Sequence, residues 1–238
     1  MRKYIIANWK SNKTPAEATA WLEEVMEKLP KDVTSFFKII ICPPIMDVPP
    51  LYEKMTGNKT LKLGVQDISL FPEGPYTGEV AVRLASSLVS YTLLGHSERR
   101  EYLCETDEIV AKKTLLAIHH GLIPIICISN ENEIINWENF TRGKIGKKDR
   151  KTIIFSYEPL SAISTGSIGK PEEPLRVDNF INKIKIEHNI TTCIYGGSVN
   201  GKNIDSFIKQ VHIDGVLVAA ASLKPDSFLE VVKNALPR

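Results

Sequence analysis

Eight short apolar runs, separated by stretches with helical character, constrain this chain more than any other feature. They are Tyr4–Ala7, Phe37–Cys42, Leu61–Val65, Tyr91–Leu94, Ile123–Ile128, Thr152–Tyr157, Thr192–Tyr195 and Gly215–Val218. Most are apolar throughout instead of alternating with polar residues. That is the pattern of parallel strands covered on both faces. Between them lie helix signals. Thr14-Pro15-Ala16-Glu17 offers an N-cap, a proline at the first helical position and a capping-box glutamate, and Ala18, Trp21, Leu22, Val25 and Leu29 follow on one face. Thr106-Asp107-Glu108 opens a second helix, which Gly121 closes. Val177, Phe180, Ile181 and Ile184 form a third stripe, and Phe228, Val231, Val232 and Ala235 a fourth.

Strands alternating with helices imply right-handed βαβ units around a parallel sheet. Eight such units in 238 residues predict an α/β chain folded as one (β/α)8 barrel domain over residues 1–238, with an open doubly wound sheet as the structural rival. The segment between Cys127 and Glu158 is the weakest part of the pattern. Asn130–Phe140 and Arg142–Lys151 carry little apolar face, so the fifth crossover helix is expected to be short or irregular. The basic residues Arg142, Lys144, Lys147, Lys148, Arg150 and Lys151 read as a solvated surface.

A formal charge of +2 gives no global signal for nucleic acid. No apolar run reaches the length of a membrane span, and the apolar stretch after Met1-Arg2-Lys3 is too short for a signal peptide. Cys42, Cys127 and Cys193 lie in or at the end of apolar runs, where cysteine acts as a small hydrophobe, and Cys104 has no close partner in sequence. Reduced thiols and a cytoplasmic protein are expected.

Barrel chemistry collects at the carboxyl ends of the strands. The first run leads into Asn8-Trp9-Lys10, the fourth into Gly95-His96-Ser97-Glu98-Arg99-Arg100, and the seventh into Gly196-Gly197-Ser198-Val199-Asn200. The eighth leads into Ala219-Ala220-Ala221-Ser222-Leu223. The sixth ends at Glu158-Pro159, ahead of the small, polar segment Leu160–Ser167. Proline cannot extend the ladder, and a carboxylate at the tip of a buried strand is costly unless it is paired or used. Taken singly, each of these residues has an ordinary explanation as a cap, a turn or a solvated charge. Their shared position at one mouth points to proton-transfer chemistry.

These segments, together with Tyr157-Glu158-Pro159 and Ala221-Ser222-Leu223-Lys224-Pro225, resemble the triosephosphate isomerase family in order and nearly in spacing. The resemblance implies interconversion of dihydroxyacetone phosphate and glyceraldehyde 3-phosphate in glycolysis and gluconeogenesis, through an enediol(ate), with no metal and no cofactor. It implies Glu158 as the base and His96 as a neutral imidazole polarising the carbonyl, at the start of a short helix whose dipole disfavours a charged ring. Asn8 would bond an enediolate oxygen, and Lys10, held by Glu98, would supply positive charge. Backbone N–H groups at Ser164, Ser198, Ala219 and Ala220, with the turn at Gly197, would cradle the phosphate. The loop over residues 66–79 would carry Thr77 to Asn8 of the partner subunit in a homodimer.

Three departures from the family's pattern stand out. Ala219-Ala220 replaces a glycine pair, which predicts weaker phosphate binding through a Cβ at positions suited to positive φ. Ser161 and Ser164 stand where the family has tryptophan and glycine. Ser129-Asn130 stands where it has glycine and glutamate, so the hinge of the loop after Glu158 is expected to be rebuilt as a unit. Two other functions fit the same residues less well: a non-catalytic phosphate-sensing relative, and a barrel isomerase acting on another small phosphorylated sugar.

Overall fold

The computed structural model describes residues 2–159 and 172–237. Eight parallel strands close into a barrel in simple chain order. They are β1 (Lys3–Asn8), β2 (Phe37–Cys42), β3 (Leu61–Val65), β4 (Tyr91–Leu94), β5 (Ile123–Ile128), β6 (Ile154–Tyr157), β7 (Thr192–Tyr195) and β8 (Gly215–Val218). The described helices are α1 (Pro15–Lys28), α2 (Val33–Phe36), α3 (Val48–Lys54), α4 (Val82–Ser86), α5 (Ser97–Tyr102) and α6 (Asp107–His119), followed by α7 (Glu131–Thr141), α8 (Lys147–Arg150), α9 (Pro174–Glu187), α10 (Ile204–Ile208) and α11 (Pro225–Ala235). Among the described residues no helix is long and apolar enough to cross a membrane.

The continuous apolar runs are explained by two cores. Ile6, Ile40, Cys42, Leu93, Ile125, Cys127, Ile154, Ile194 and Leu217 pack together as one cluster. Their neighbours along the strands, such as Ile5, Ile39, Ile41, Ile126, Phe155 and Val216, pack with the apolar stripes of the helices as a second. Side chains alternate across a strand, so a strand that serves both cores is apolar at most positions, with Thr92, Ser156 and Thr192 among the buried polar exceptions. Cys42, Cys127 and Cys193 are buried free thiols and Cys104 is exposed.

The local signals act as expected at the two best-marked helices. Thr14 and Glu17 form the reciprocal capping box of α1, and Thr106 accepts from the Ile109 N–H at the start of α6. Gly121, at φ +77°, turns the chain out of α6 and into β5. Two expectations need correction. The sixth strand begins at Ile154, not Thr152, because Thr152 and Ile153 are tied back into the turn that closes α8 by bonds to Asp149 and Arg150 carbonyls. The fifth crossover is also not irregular, since α7 is an 11-residue helix. Asn130 caps it through the Glu133 N–H, and Ile134, Trp137 and Thr141 suffice as a buried face. Trp137 compensates for the narrow stripe by packing edge-on against Phe155 and donating its indole N–H to Thr114 Oγ1 on α6 (3.2 Å). Most of the basic run is exposed, although Arg150 pairs with Glu138 and lies over the Trp137 ring.

Candidate active site

Glu158 leaves β6 with its backbone fixed on both sides. Its N–H donates to the Ile128 carbonyl (2.7 Å), and the Gly196 N–H donates to the Tyr157 carbonyl (2.8 Å). The residue is 1% exposed. One carboxylate oxygen accepts from Ser156 Oγ at 3.2 Å, and the other lies 3.7 Å from His96 Nε2. Ser156 and Glu158 share a side of the strand because they are two residues apart. Burial and the adjacent Glu158 carboxylate push the Cys127 thiol well above its usual range, so it stays protonated.

Gly196 sets the position of that carboxylate. A Cβ there would lie 2.6 Å from both Glu158 Cγ and Ser156 Oγ. We expect Gly196→Ala to lower kcat by about 100-fold, the scale of a misplacement of about 1 Å, with the fold retained. Steady-state kinetics alongside circular dichroism checks this. Activity within twofold of the parent would show that the glycine does not set the base's position. At Gly197 a Cβ would meet the Tyr195 hydroxyl at 2.2 Å, and that hydroxyl accepts from the Glu172 N–H.

His96 is the N-cap of α5, and its Nδ1 accepts from the Glu98 N–H at 3.2 Å. An accepting Nδ1 carries a lone pair, which places the ring proton on Nε2, the nitrogen that faces Glu158. The helix start therefore selects the neutral tautomer that can donate into the mouth. Arg100 fixes the backbone beneath it. Its Nε donates to the Gly95 carbonyl (2.7 Å), and its other nitrogens reach Asp107 (2.6 Å) and Glu133 (3.7 Å). Burial pushes the Glu133 carboxyl up, against the Arg100 guanidinium and the Ser129 N–H, which oppose the shift.

Lys10 follows β1 in the left-handed region, at φ +51°. A lysine there costs about 1–2 kcal/mol, so the surroundings must hold it. Its N–H donates to Asn8 Oδ1 (3.0 Å), its carbonyl accepts from Gln66 Nε2 (2.8 Å), and its Nζ lies 2.6 Å from Glu98 Oε1. Gln66 also donates to the Cys42 carbonyl, tying the exits of β1 and β2 together. Glu98 thus meets Lys10 with its side chain and His96 with its backbone. Glu158, His96, Glu98, Lys10 and Asn8 form one contiguous chain of contacts.

The exits of β7 and β8 carry the remaining candidates. Gly197 and Ser198 are half-buried, with the Ser198 carbonyl bonded to Asn203. Ala219 is half-buried and Ala220 exposed, at the start of the 3-10 turn Ala220–Ser222. The first internal bond of that turn runs from the Ser222 N–H to the Ala219 carbonyl, so the preceding N–H groups lie ahead of it, as at any helix start. Ala219 has φ −101°, and neither alanine has positive φ. The strain expected from replacing a glycine pair is therefore absent, and only the bulk of the methyl groups remains. Ser161 and Ser164 lie outside the described residues. Thr77 is exposed on the loop over 66–79, next in sequence to Tyr76, whose ring stacks on Phe71 (4.5 Å between ring centroids).

Ser156, Gly196, Gln66 and Arg100 had no role assigned from the sequence, although Gly196 and Arg100 stand in the strand-exit segments. The first could have been found from its two-residue spacing to Glu158. The other three act through tertiary approach, which has no local signature.

The triosephosphate isomerase family model matches residues 3–235. The chain is 39% identical to the triosephosphate isomerase of Dictyoglomus thermophilum, covering 98% of this chain and 99% of that one. It is 36% identical to that of Synechocystis sp. (98% of each) and 34% identical to that of Dehalococcoides mccartyi (99% of this chain, 97% of that one).

Proposed function

The chain belongs to the triosephosphate isomerase family, and from that premise we infer how its own residues divide the interconversion of dihydroxyacetone phosphate and glyceraldehyde 3-phosphate. Glu158 removes a proton from the carbon beside the substrate carbonyl. His96 donates from Nε2 to the carbonyl oxygen as negative charge develops there. Lys10 stabilises the same charge with its ammonium, and Asn8 bonds an enediolate oxygen. The isomerisation is complete when the hydroxyl proton has moved from one enediolate oxygen to the other and Glu158 has returned its proton to the neighbouring carbon. Ser198, Ala219 and Ala220 offer N–H groups to the phosphate, with Gly197 keeping that turn close to Tyr195. The substrate is held at its charged end while its two reacting carbons lie over Glu158. The whole chain serves as a single (β/α)8 domain.

The observation that carries this reading is the 3.7 Å separation of Glu158 Oε2 and His96 Nε2, in which a base and an N–H donor face the same small space. A coupled assay with each triose phosphate as substrate tests it. Turnover in both directions is expected. Turnover restricted to a different phosphorylated sugar would favour the rival isomerase, and phosphate binding without turnover would favour a sensor.

Ala219→Gly and Ala220→Gly are expected to tighten binding of a phosphate-bearing inhibitor by a few-fold, since each removes a methyl group beside the anion. Isothermal titration of both variants measures this, and unchanged affinity in both would show that the methyl groups do not crowd the phosphate.

We also infer a homodimer in which the loop over 66–79 inserts Thr77 beside Asn8 of the partner subunit. Met46 (73% exposed), Tyr102 (64%) and Leu103 (59%) leave apolar surface uncovered on the single chain, as a subunit interface would require. Sedimentation with parallel assays should find activity in the dimer and lose it on dilution to monomer. A fully active monomer would refute the shared site.

A further inference from the structure

Helices α7 and α9 meet in a cluster of charged groups that the isomerase chemistry does not use. His188, the residue after α9, lies with Nδ1 2.9 Å from Glu138 Oε2 and Nε2 3.3 Å from Glu131 Oε1. Its side chain is about nine-tenths buried. Both ring nitrogens thus face carboxylate oxygens. A neutral imidazole has one N–H, so one of these approaches would bring two acceptors together with nothing between them. Either the ring is an imidazolium or a cation sits at one nitrogen.

Three features favour a cation at Nε2. Glu187 adds a third donor, and the ligand atoms of Glu131, Glu187 and His188 lie within 4.8 Å of one another. The 3.3 Å between His188 Nε2 and Glu131 Oε1 matches the ligand–ligand edge of about 3.3 Å in a tetrahedral zinc site with bonds of about 2.0–2.1 Å. Glu138 on Nδ1 supplies the outer carboxylate that orients a metal-bound histidine and raises its basicity. The place already attracts positive charge, because Lys183 Nζ lies 2.7 Å from Glu131 and 3.7 Å from Glu187. That ammonium is half-exposed and can withdraw into solvent.

We propose that Glu131, Glu187 and His188 bind a divalent cation of the zinc class, with Glu138 orienting the imidazole and the fourth position taken by water. The ion joins α7 to α9, one before and one after β6 in chain order. Titration of the full chain with zinc chloride in a calorimeter tests this. One equivalent should bind, Glu187→Gln and His188→Gln should each weaken binding at least about tenfold, and Lys183→Met should tighten it. Isomerase turnover of the metal-free variants should match the parent. Glu187 is half-exposed, so Glu187→Gln keeps the test valid even if the buried His188 variant fails to fold. Absence of one-equivalent binding, or equal affinity in parent and Glu187→Gln, would overturn the site and leave His188 as an ion-paired imidazolium.

Discussion

Glu158→Gln should lower kcat by about 10³–10⁴-fold, near the upper end of what a positioned general base supplies, while KM changes little. The amide fills the same space and can still meet Ser156, so the loss falls on the proton-transfer step and not on substrate binding. Stability should move the other way or stay constant. The carboxylate is buried against Ser156, Cys127 and the ring of His96, with no lysine or arginine within salt-bridge distance among the described residues. Replacing it with an uncharged isostere removes a desolvation cost. Steady-state kinetics and thermal melting on the same preparation check both halves. A kcat within tenfold of the parent would remove Glu158 from the chemistry, and a large fall in melting temperature would make its role structural. Glu158→Asp keeps the charge but withdraws it by one methylene, and should cost about 100-fold or more through lost alignment.

His96→Gln carries the second-largest expected effect, a fall in kcat of about 10²–10³-fold, the scale of removing one donor to a developing oxyanion. The reason lies in how α5 begins. The Glu98 N–H occupies Nδ1 and commits the ring proton to Nε2. Glutamine cannot both satisfy that N–H through one atom and present a rigid donor to the mouth from the other side of a ring. Its amide is also free to rotate, so part of the loss reflects disorder of the donor. The kcat/KM measured with each triose phosphate should fall by the same factor, because the ring donor serves the C2 carbonyl oxygen of dihydroxyacetone phosphate in one direction and the C1 carbonyl oxygen of glyceraldehyde 3-phosphate in the other, and the overall equilibrium is fixed. A kcat within about twofold of the parent would contradict His96 as the electrophile.

The fold was legible because its eight strands are covered on both faces, which leaves uninterrupted apolar runs with little ambiguity of register. The capping box at Thr14 and the N-cap at Thr106 marked their helices with local chemistry alone. The fifth crossover was harder to read for the opposite reason. Its helix buries only Ile134, Trp137 and Thr141, and relies on the Trp137 contacts to Phe155 and Thr114, which no pattern along the chain displays. The site divides in the same way. Asn8, Lys10, His96, Glu98 and Glu158 stand at strand exits, where position in sequence implies position at the mouth. Gln66 and Gly196 work by reaching across from neighbouring strands, and the left-handed conformation of Lys10 is visible only once Asn8 and Gln66 are seen to hold it. The expected strain at Ala219 failed because a backbone conformation was carried over with the glycines it replaces, whereas this chain takes negative φ there.

The most direct measurement is a crystal structure with a hydroxamate that carries a terminal phosphate and mimics the enediolate. We expect the Glu158 carboxylate about 3–3.5 Å from the planar carbon–nitrogen unit, His96 Nε2 and Lys10 Nζ on its oxygens, and the phosphate against the backbone of Ser198, Ala219 and Ala220. A ligand bound with its phosphate elsewhere, or with Glu158 and His96 unable to touch the same unit, would contradict the account.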